Sequence, residues 1–228
     1  MTISRQFQLN RCALLLLTVF CFYSAKAFSQ ANVSASYYWD DRHFNTLALQ
    51  IASNSLPMDL SLWGFSDFHA DQNNSHERQD FTKSFSEYRL SSNAPASWTG
   101  LKNLGAQIEY NDFTAGNENT LWRAGITYKY TFLDRLWMQL RVLPLQSNED
   151  WQISLIYKLT ITERLKLNGF ADYNLRQDKG NMWVIEPQLE YKMSANSWLL
   201  LEYRLNDFEQ DNPALDGYGW ALGVRYHL

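Results

Sequence analysis

The last eleven residues, Tyr218 to Leu228, alternate in size and polarity almost without exception. Tyr218, Trp220, Leu222, Val224, Tyr226 and Leu228 share one face; Gly219, Ala221, Gly223, Arg225 and His227 share the other. Successive side chains of a strand point to opposite sides. As a strand, this segment is therefore bulky and apolar on one side and small or charged on the other. That division suits a wall with lipid outside and water inside, and it constrains the fold more than any other feature of the chain.

Apolar residues at the last, third-last and fifth-last positions resemble the assembly signal of bacterial outer-membrane β-barrels, with Leu228 standing where that signal usually has Phe. The resemblance implies recognition by the barrel-assembly machinery through the C-terminal strand. The N-terminus agrees with export. Arg5 and Arg11 precede an apolar run from Cys12 to Tyr23, too short for a membrane-spanning helix. Ala25-Lys26-Ala27 fits a small-x-small cleavage site, which predicts a signal peptide over 1–27 and one barrel domain over 28–228. Thr18-Val19-Phe20 before Cys21 fits a lipoprotein site poorly. Both cysteines, Cys12 and Cys21, fall in the leader, so the remainder is expected to lack thiols, disulfides and cysteine metal sites.

The leader takes Arg5, Arg11 and Lys26 and no acid, leaving 17 of the 20 basic groups against all 24 acidic ones. A basic nucleic-acid footprint is absent, and no nucleic-acid polymer is expected as a partner. Aromatic residues make up 15%, yet mean hydropathy is −0.40 and no later stretch approaches the length of a membrane helix. A membrane β-barrel needs that combination, because only alternate residues meet lipid. The bland competitor is a soluble β-sandwich or lipocalin-like barrel, whose strands also alternate.

The chain reads as about twelve strands: 31–40, 44–53, 59–70, 84–92, 101–112, 120–131, 134–146, 151–162, 164–176, 182–193, 198–208 and 218–228. Over 151–162, Trp151, Ile153, Leu155, Tyr157, Leu159 and Ile161 oppose Gln152, Ser154, Lys158 and Thr160. Over 182–193, Trp183, Ile185, Leu189, Tyr191 and Met193 oppose Glu186, Gln188, Glu190 and Lys192. Twelve such apolar faces need far more soluble core than this chain provides, so the outer-membrane bilayer is the simpler partner. Pro144 and Pro187 fall inside the patterns; a proline cannot donate to a ladder, so each predicts a bulge or a weak strand end. Connectors alternate in length, short around Phe132-Leu133, Thr162-Glu163 and 194–196, a little longer around 93–100. The intervening ones are longer and polar (71–83, 113–119, 146–150, 177–181, 208–217). With both termini periplasmic, that order requires an even strand count. The expected fold is an all-β, up-and-down antiparallel transmembrane barrel.

Catalytic signatures are missing: there is no His-Glu-x-x-His, phosphate-binding loop or Gly-x-Ser-x-Gly. His69 near Asp67 and Asp71 is the single candidate for a hydrolase, the least favoured reading, and an ordinary strand end explains it as well. Asp40, Asp41 and His43 suggest either a cation site or a tight charged turn, and the acidic connectors either a cation site or hydrated loops. No cofactor, metal or catalytic residue is assigned.

The inferred lumen carries bases (Arg89, Arg123, Lys129, Arg135, Arg141, Arg164, Lys166, Lys192, Arg204, Arg225) and acids (Asp67, Glu87, Glu109, Asp172, Glu186, Glu190, Glu202). It also receives Trp63, Phe65, Trp137, Phe170 and Trp198. Paired charges can merely fill a small barrel, which would make it a plugged structural or adhesion barrel. Rings beside charged groups can instead bind planar polar solutes. Asn45-Thr46-Leu47-Ala48-Leu49 followed by Asp59 to Phe68, with Trp63-Gly64-Phe65-Ser66-Asp67, resembles the early hairpin of the nucleoside-specific channel-forming outer-membrane proteins. Phe85 to Leu90 and Gly217 to Leu228 resemble that family's next strand and its closing strand. The resemblance implies a twelve-stranded barrel and passive uptake of nucleosides, with Trp63, Phe65, Asp67, Glu87 and Arg89 at the matching positions. Trp137, Arg141 and Phe170 complete the expected lumenal site for a small polar solute. Porins for acidic oligosaccharides, also twelve-stranded, are the related alternative; those favour lumenal arginines, whereas this lumen has both signs of charge.

Overall fold

The computed structural model describes residues 31–72, 81–113, 120–177, 180–207 and 217–228. The expected leader, His76 and most acids of the long connectors (Glu77, Asp80, Glu118, Asp178, Glu209, Asp211, Asp216) lie outside the described residues. The strands are β1 (Asn32–Asp40), β2 (Phe44–Leu56), β3 (Leu60–Asp71), β4 (Phe81–Ser92), β5 (Leu104–Phe113) and β6 (Leu121–Phe132), then β7 (Leu136–Gln146), β8 (Trp151–Thr160), β9 (Leu165–Leu175), β10 (Met182–Lys192), β11 (Ser197–Asn206) and β12 (Gly217–His227). Each pairs antiparallel with its sequence neighbours, and β1 pairs with β12, closing the barrel. The end holding both termini, here called inner, carries short connectors except at 93–103, and the other end longer ones except at 41–43 and 147–150. The 93–103 connector contains the helix Ala94–Thr99, ended by Gly100 at φ +73.

The barrel is inside-out relative to a soluble protein. Among the described residues, seven hydrophobic side chains are buried against twenty-three polar or charged ones, while thirty-odd large apolar residues are exposed. In β12, Trp220 and Leu222 are 52% and 49% exposed while Ala221 between them is 0%. Exposed aromatics gather at two levels. Trp39, Trp122, Trp151, Trp183 and Trp220 mark the outer one; Tyr128, Tyr130, Phe132, Tyr191 and Tyr226 mark the inner. Trp183 and Tyr191 of β10 are separated by roughly 20 Å along the barrel axis once the strand tilt is allowed for, close to the apolar band of a membrane barrel. Ring pairs brace the outer level: Tyr37–Trp39 at 4.8 Å, Tyr110–Trp122 at 4.7 Å, Tyr173–Trp183 at 4.5 Å and Tyr203–Trp220 at 5.0 Å. Such contacts add about 0.5–1.5 kcal/mol each beyond area burial. A soluble sandwich, which would bury these rings, is excluded.

The two prolines behave differently. Ala124 faces Leu145 but Ile126 faces Val142, so β7 carries one extra residue at Leu143–Pro144. The bulge resets the alternation: Leu143 is fully buried inside, Leu145 points out at 69% exposure, and Gln146 returns to the interior. Gly125 of β6 lies against the bulge, where a Cβ would run into the Val142 carbonyl oxygen with Leu143 Cα 2.8 Å away. Pro187 causes no shift. Its pairing with Gly169 of β9 is unbroken, but toward β11 the ladder skips from Ile185–Leu205 to Gln188–Glu202. The missing N–H opens a gap there and leaves the register intact. Gly125→Ala is therefore expected to cost about 1–3 kcal/mol, read as a lower urea midpoint for loss of the heat-modifiable band on gels; an unchanged midpoint contradicts the close approach.

Candidate functional site

The alternation places polar residues of all twelve strands on the inner face, and two hydrogen-bonded networks organise them. The first runs over β4 to β9 and centres on Glu109 of β5, which has no exposed surface. Glu109 accepts from Arg123 Nη1 (2.8 Å), Arg141 Nη1 (2.9 Å), Asn111 Nδ2 (3.0 Å) and Gln107 Nε2 (3.1 Å), and pairs with Arg89 Nε (3.3 Å). Arg89 also pairs with Glu87. Arg141 donates twice to Ser154 Oγ (2.9 and 2.6 Å) and once to Asp172 (3.3 Å). Gln152 then links Asp172 (3.3 Å) to Asn174 (3.0 Å).

The second network runs over β10, β11, β12 and β1. Asp40 accepts from Arg42 Nη2 (2.8 Å) and Arg204 Nη1 (3.1 Å), and Arg204 Nε donates to Glu202 (2.5 Å). Gln188 donates to Glu202 and to Tyr38 Oη (2.9 Å). Arg225 donates to Glu190 (2.5 Å), Gln188 Oε1 (2.9 Å) and Ser36 Oγ (3.1 Å). Asp41 accepts the Trp220 backbone N–H at 2.9 Å. Asp40 and Asp41 are thus engaged by the barrel itself, as in a tight charged turn. No group of three metal-ligating side chains occurs among the described residues.

Between the networks, β2 to β5 present an aromatic wall. Arg89 lies 4.3 Å over the Trp63 ring; Trp63 meets Phe65 at 5.3 Å, Phe65 meets Phe85 at 5.5 Å, and Phe85 meets Phe113 at 4.8 Å. Further out, His69 Nδ1 sits 3.0 Å from Thr46 Oγ1 and edge-on to Phe44. That spacing is what a nucleophile and its base require. Thr46, however, has no exposed surface, and Asp67 makes no hydrogen bond to His69. The pair is built into the wall.

These walls surround one cavity of 920 Å³. Its lining reaches from Asn32 and His227 at the inner end to Arg42, Asn148 and Asp150 at the outer connectors. Spread over a wall roughly 25 Å tall, the space is about one small molecule wide. Trp63, Phe65, Asp67, Glu87, Arg89, Trp137 and Phe170, expected on the lumen, all line it. Arg141 does not: its guanidinium is fully buried by Glu109, Ser154 and Asp172. Arg135 and Arg164 lie in exposed inner turns. Phe85 and Phe113 are not among the aromatics expected on the lumen from the sequence, although Phe85 alternates in phase with Glu87 and Arg89. Lys158, Lys166 and Lys192 form a basic arc at the inner end of β8 to β10 and make no ion pair among the described residues. Lys166 and Lys192 flank the Trp198 ring at 4.7 and 5.8 Å.

Glu109 neutralises guanidinium groups that have little water to turn to. Removing one partner of a buried pair costs about 3–5 kcal/mol because the other charge is left uncompensated. Glu109→Ala should lose stability on that scale in denaturant titrations of the refolded barrel, and Lys158→Ala, outside both networks, should lose almost none.

No protein-family profile matches the chain, and no curated protein sequence does. Solved structures do. A NanC porin aligns with TM-score 0.58 at 10% identity, covering 87% of this chain and 100% of its own. A KdgM porin aligns with TM-score 0.54 at 11% identity, covering 86% and 98%. A KdgM porin in complex with disordered oligogalacturonate gives 0.53 at 13%, again covering 86% and 98%. At such identities the likeness concerns the fold, and the fold is that of a twelve-stranded porin-type barrel.

Proposed function

We propose that the protein is a narrow passive channel of the bacterial outer membrane for small anionic polar solutes, acidic sugars first, and that it carries out no catalysis. The observation behind this is the unpaired arc of Lys158, Lys166 and Lys192 beside Trp198, at the inner end of a cavity lined from one barrel end to the other. Unpaired ammonium groups within low-dielectric walls raise the local concentration of anions, and a ring face suits the apolar side of a sugar. The oligogalacturonate held by one structural neighbour is an acidic sugar chain of this kind.

Nucleosides are the second reading. The Trp63, Phe65, Phe85 and Phe113 wall beside Glu87 and Arg89 favours them, as does the resemblance of the early hairpin. Stacking a base there would contribute roughly 1–3 kcal/mol, weak enough to let a channel conduct.

Planar-bilayer recordings separate the two. For acidic sugars, the reversal potential in a salt gradient shows anion preference and millimolar digalacturonate reduces single-channel current. Lys158→Ala with Lys166→Ala then shifts the reversal potential toward cations and weakens block by about an order of magnitude. Block by adenosine, relieved by Phe65→Ala and indifferent to the lysines, would favour nucleosides instead. A barrel without conductance overturns both.

A further inference from the structure

The lumen has a second compartment. At the inner end, on the side of β2 to β7, Asp59, Ser61, Asn93, Lys129 and Trp137 help enclose 380 Å³. The chamber is polar, with Lys129 Nζ donating to Asn93 Oδ1 at 3.1 Å. Among the described residues, Trp137 is the one side chain that lines both this chamber and the main cavity. Its indole therefore stands between them.

Three tryptophans face the interior, and they are held differently. Trp63 lies beneath Arg89 and against Phe65. Trp198 is 8% exposed and flanked by Lys166 and Lys192. Trp137 is half-buried and has neither a ring nor a cation partner among the described residues. Turning the other two breaks cation–π contacts worth about 0.5–2 kcal/mol each. Turning Trp137 breaks none, and its ring borders both the main cavity and the inner chamber.

We propose that Trp137 determines the specificity of the channel: it is an indole leaf that separates the main lumen from the inner chamber and turns aside while stacking on a ring-shaped solute. The proposal rests on the passive-channel reading and supplies its reading element. Solutes that stack open the leaf; small ions bypass it along the Lys158 side.

Two measurements on the refolded barrel test it, with folding checked by heat-modifiable migration. The first is single-channel conductance of the wild type, Trp137→Ala and Trp137→Phe. The leaf predicts that Trp137→Ala raises conductance about twofold by joining the compartments and abolishes block by whichever of adenosine and digalacturonate blocks the wild type, with Trp137→Phe between. The second places a thiol in the chamber, Ser61→Cys, in a chain whose Cys12 and Cys21 are replaced by Ser. A charged thiol reagent added from the outer side should label it about tenfold faster when Trp137→Ala is also present. A conducting wild type whose Trp137→Ala form conducts no better and labels no faster overturns the leaf and leaves the channel reading standing. A wild type that does not conduct overturns the channel reading, and with it the leaf that rests on that reading.

Discussion

The pairing of β1 with β12 is the contact on which everything else depends. Seven residue pairs, from Ser34–His227 to Asp40–Ala221, join the two ends of the ladder. Without them the sheet would present two edges of unpaired N–H and C=O groups to hydrocarbon, where no water can satisfy them. Closure forces every strand to have one side in lipid and one in the lumen, and the period-two alternation follows. The terminal strand carries the sharpest alternation in the chain because its small inner residues must accept the side chains of β1. Tyr38 packs across Gly223, where an added Cβ would lie 2.6 Å from the ring.

Closure also explains why the charges do not seal the lumen. Arg141 of β7 reaches Glu109 of β5 and Asp172 of β9, and Arg204 of β11 reaches Asp40 of β1. Each bond joins inner faces two strands apart, so the networks lie along the wall like rungs. Long side chains directed at the axis would have met in the middle and filled it. Laid sideways, they satisfy one another where water is scarce and leave the 920 Å³ cavity between them. A buried carboxylate with three guanidinium partners fixes those arms in place, even though a buried ion pair contributes little net stability over an apolar filling.

The strands were legible because lipid imposes a strict rule on alternate residues. Every strand agrees with its sequence-based bounds to within about three residues, and the inner turns are the tighter ones apart from 93–103 inside and the short 41–43 turn outside. Two features needed the structure. Both prolines break the same ladder rule, yet Pro144 makes a bulge, packed against Gly125, and Pro187 only a gap, with Gly169 squarely opposite it. Phase likewise told which side Arg141 faces, but not that Glu109, Ser154 and Asp172 would remove it from solvent. That outcome depends on three other strands. Arg135 and Arg164 share the inward phase but fall one residue before their strands begin, where the turn carries them out of the lumen.

The value of a lumenal group to a passing solute depends on what else already holds it. Arg89 is aimed inward, but its guanidinium faces Glu87, Glu109 and the ring of Trp63. A solute reaching it must compete with contacts the wall makes at no further entropic cost. The lysines of the inner arc make no ion pair among the described residues, although Glu190, itself held by Arg225, stands opposite Lys166 in the ladder. Sequence counts both kinds of group equally as lumenal charge. Partnership in the folded wall separates the charges held within the two networks from those that are not, Lys158, Lys166 and Lys192 among the latter, and Lys166 and Lys192 flank the face of Trp198.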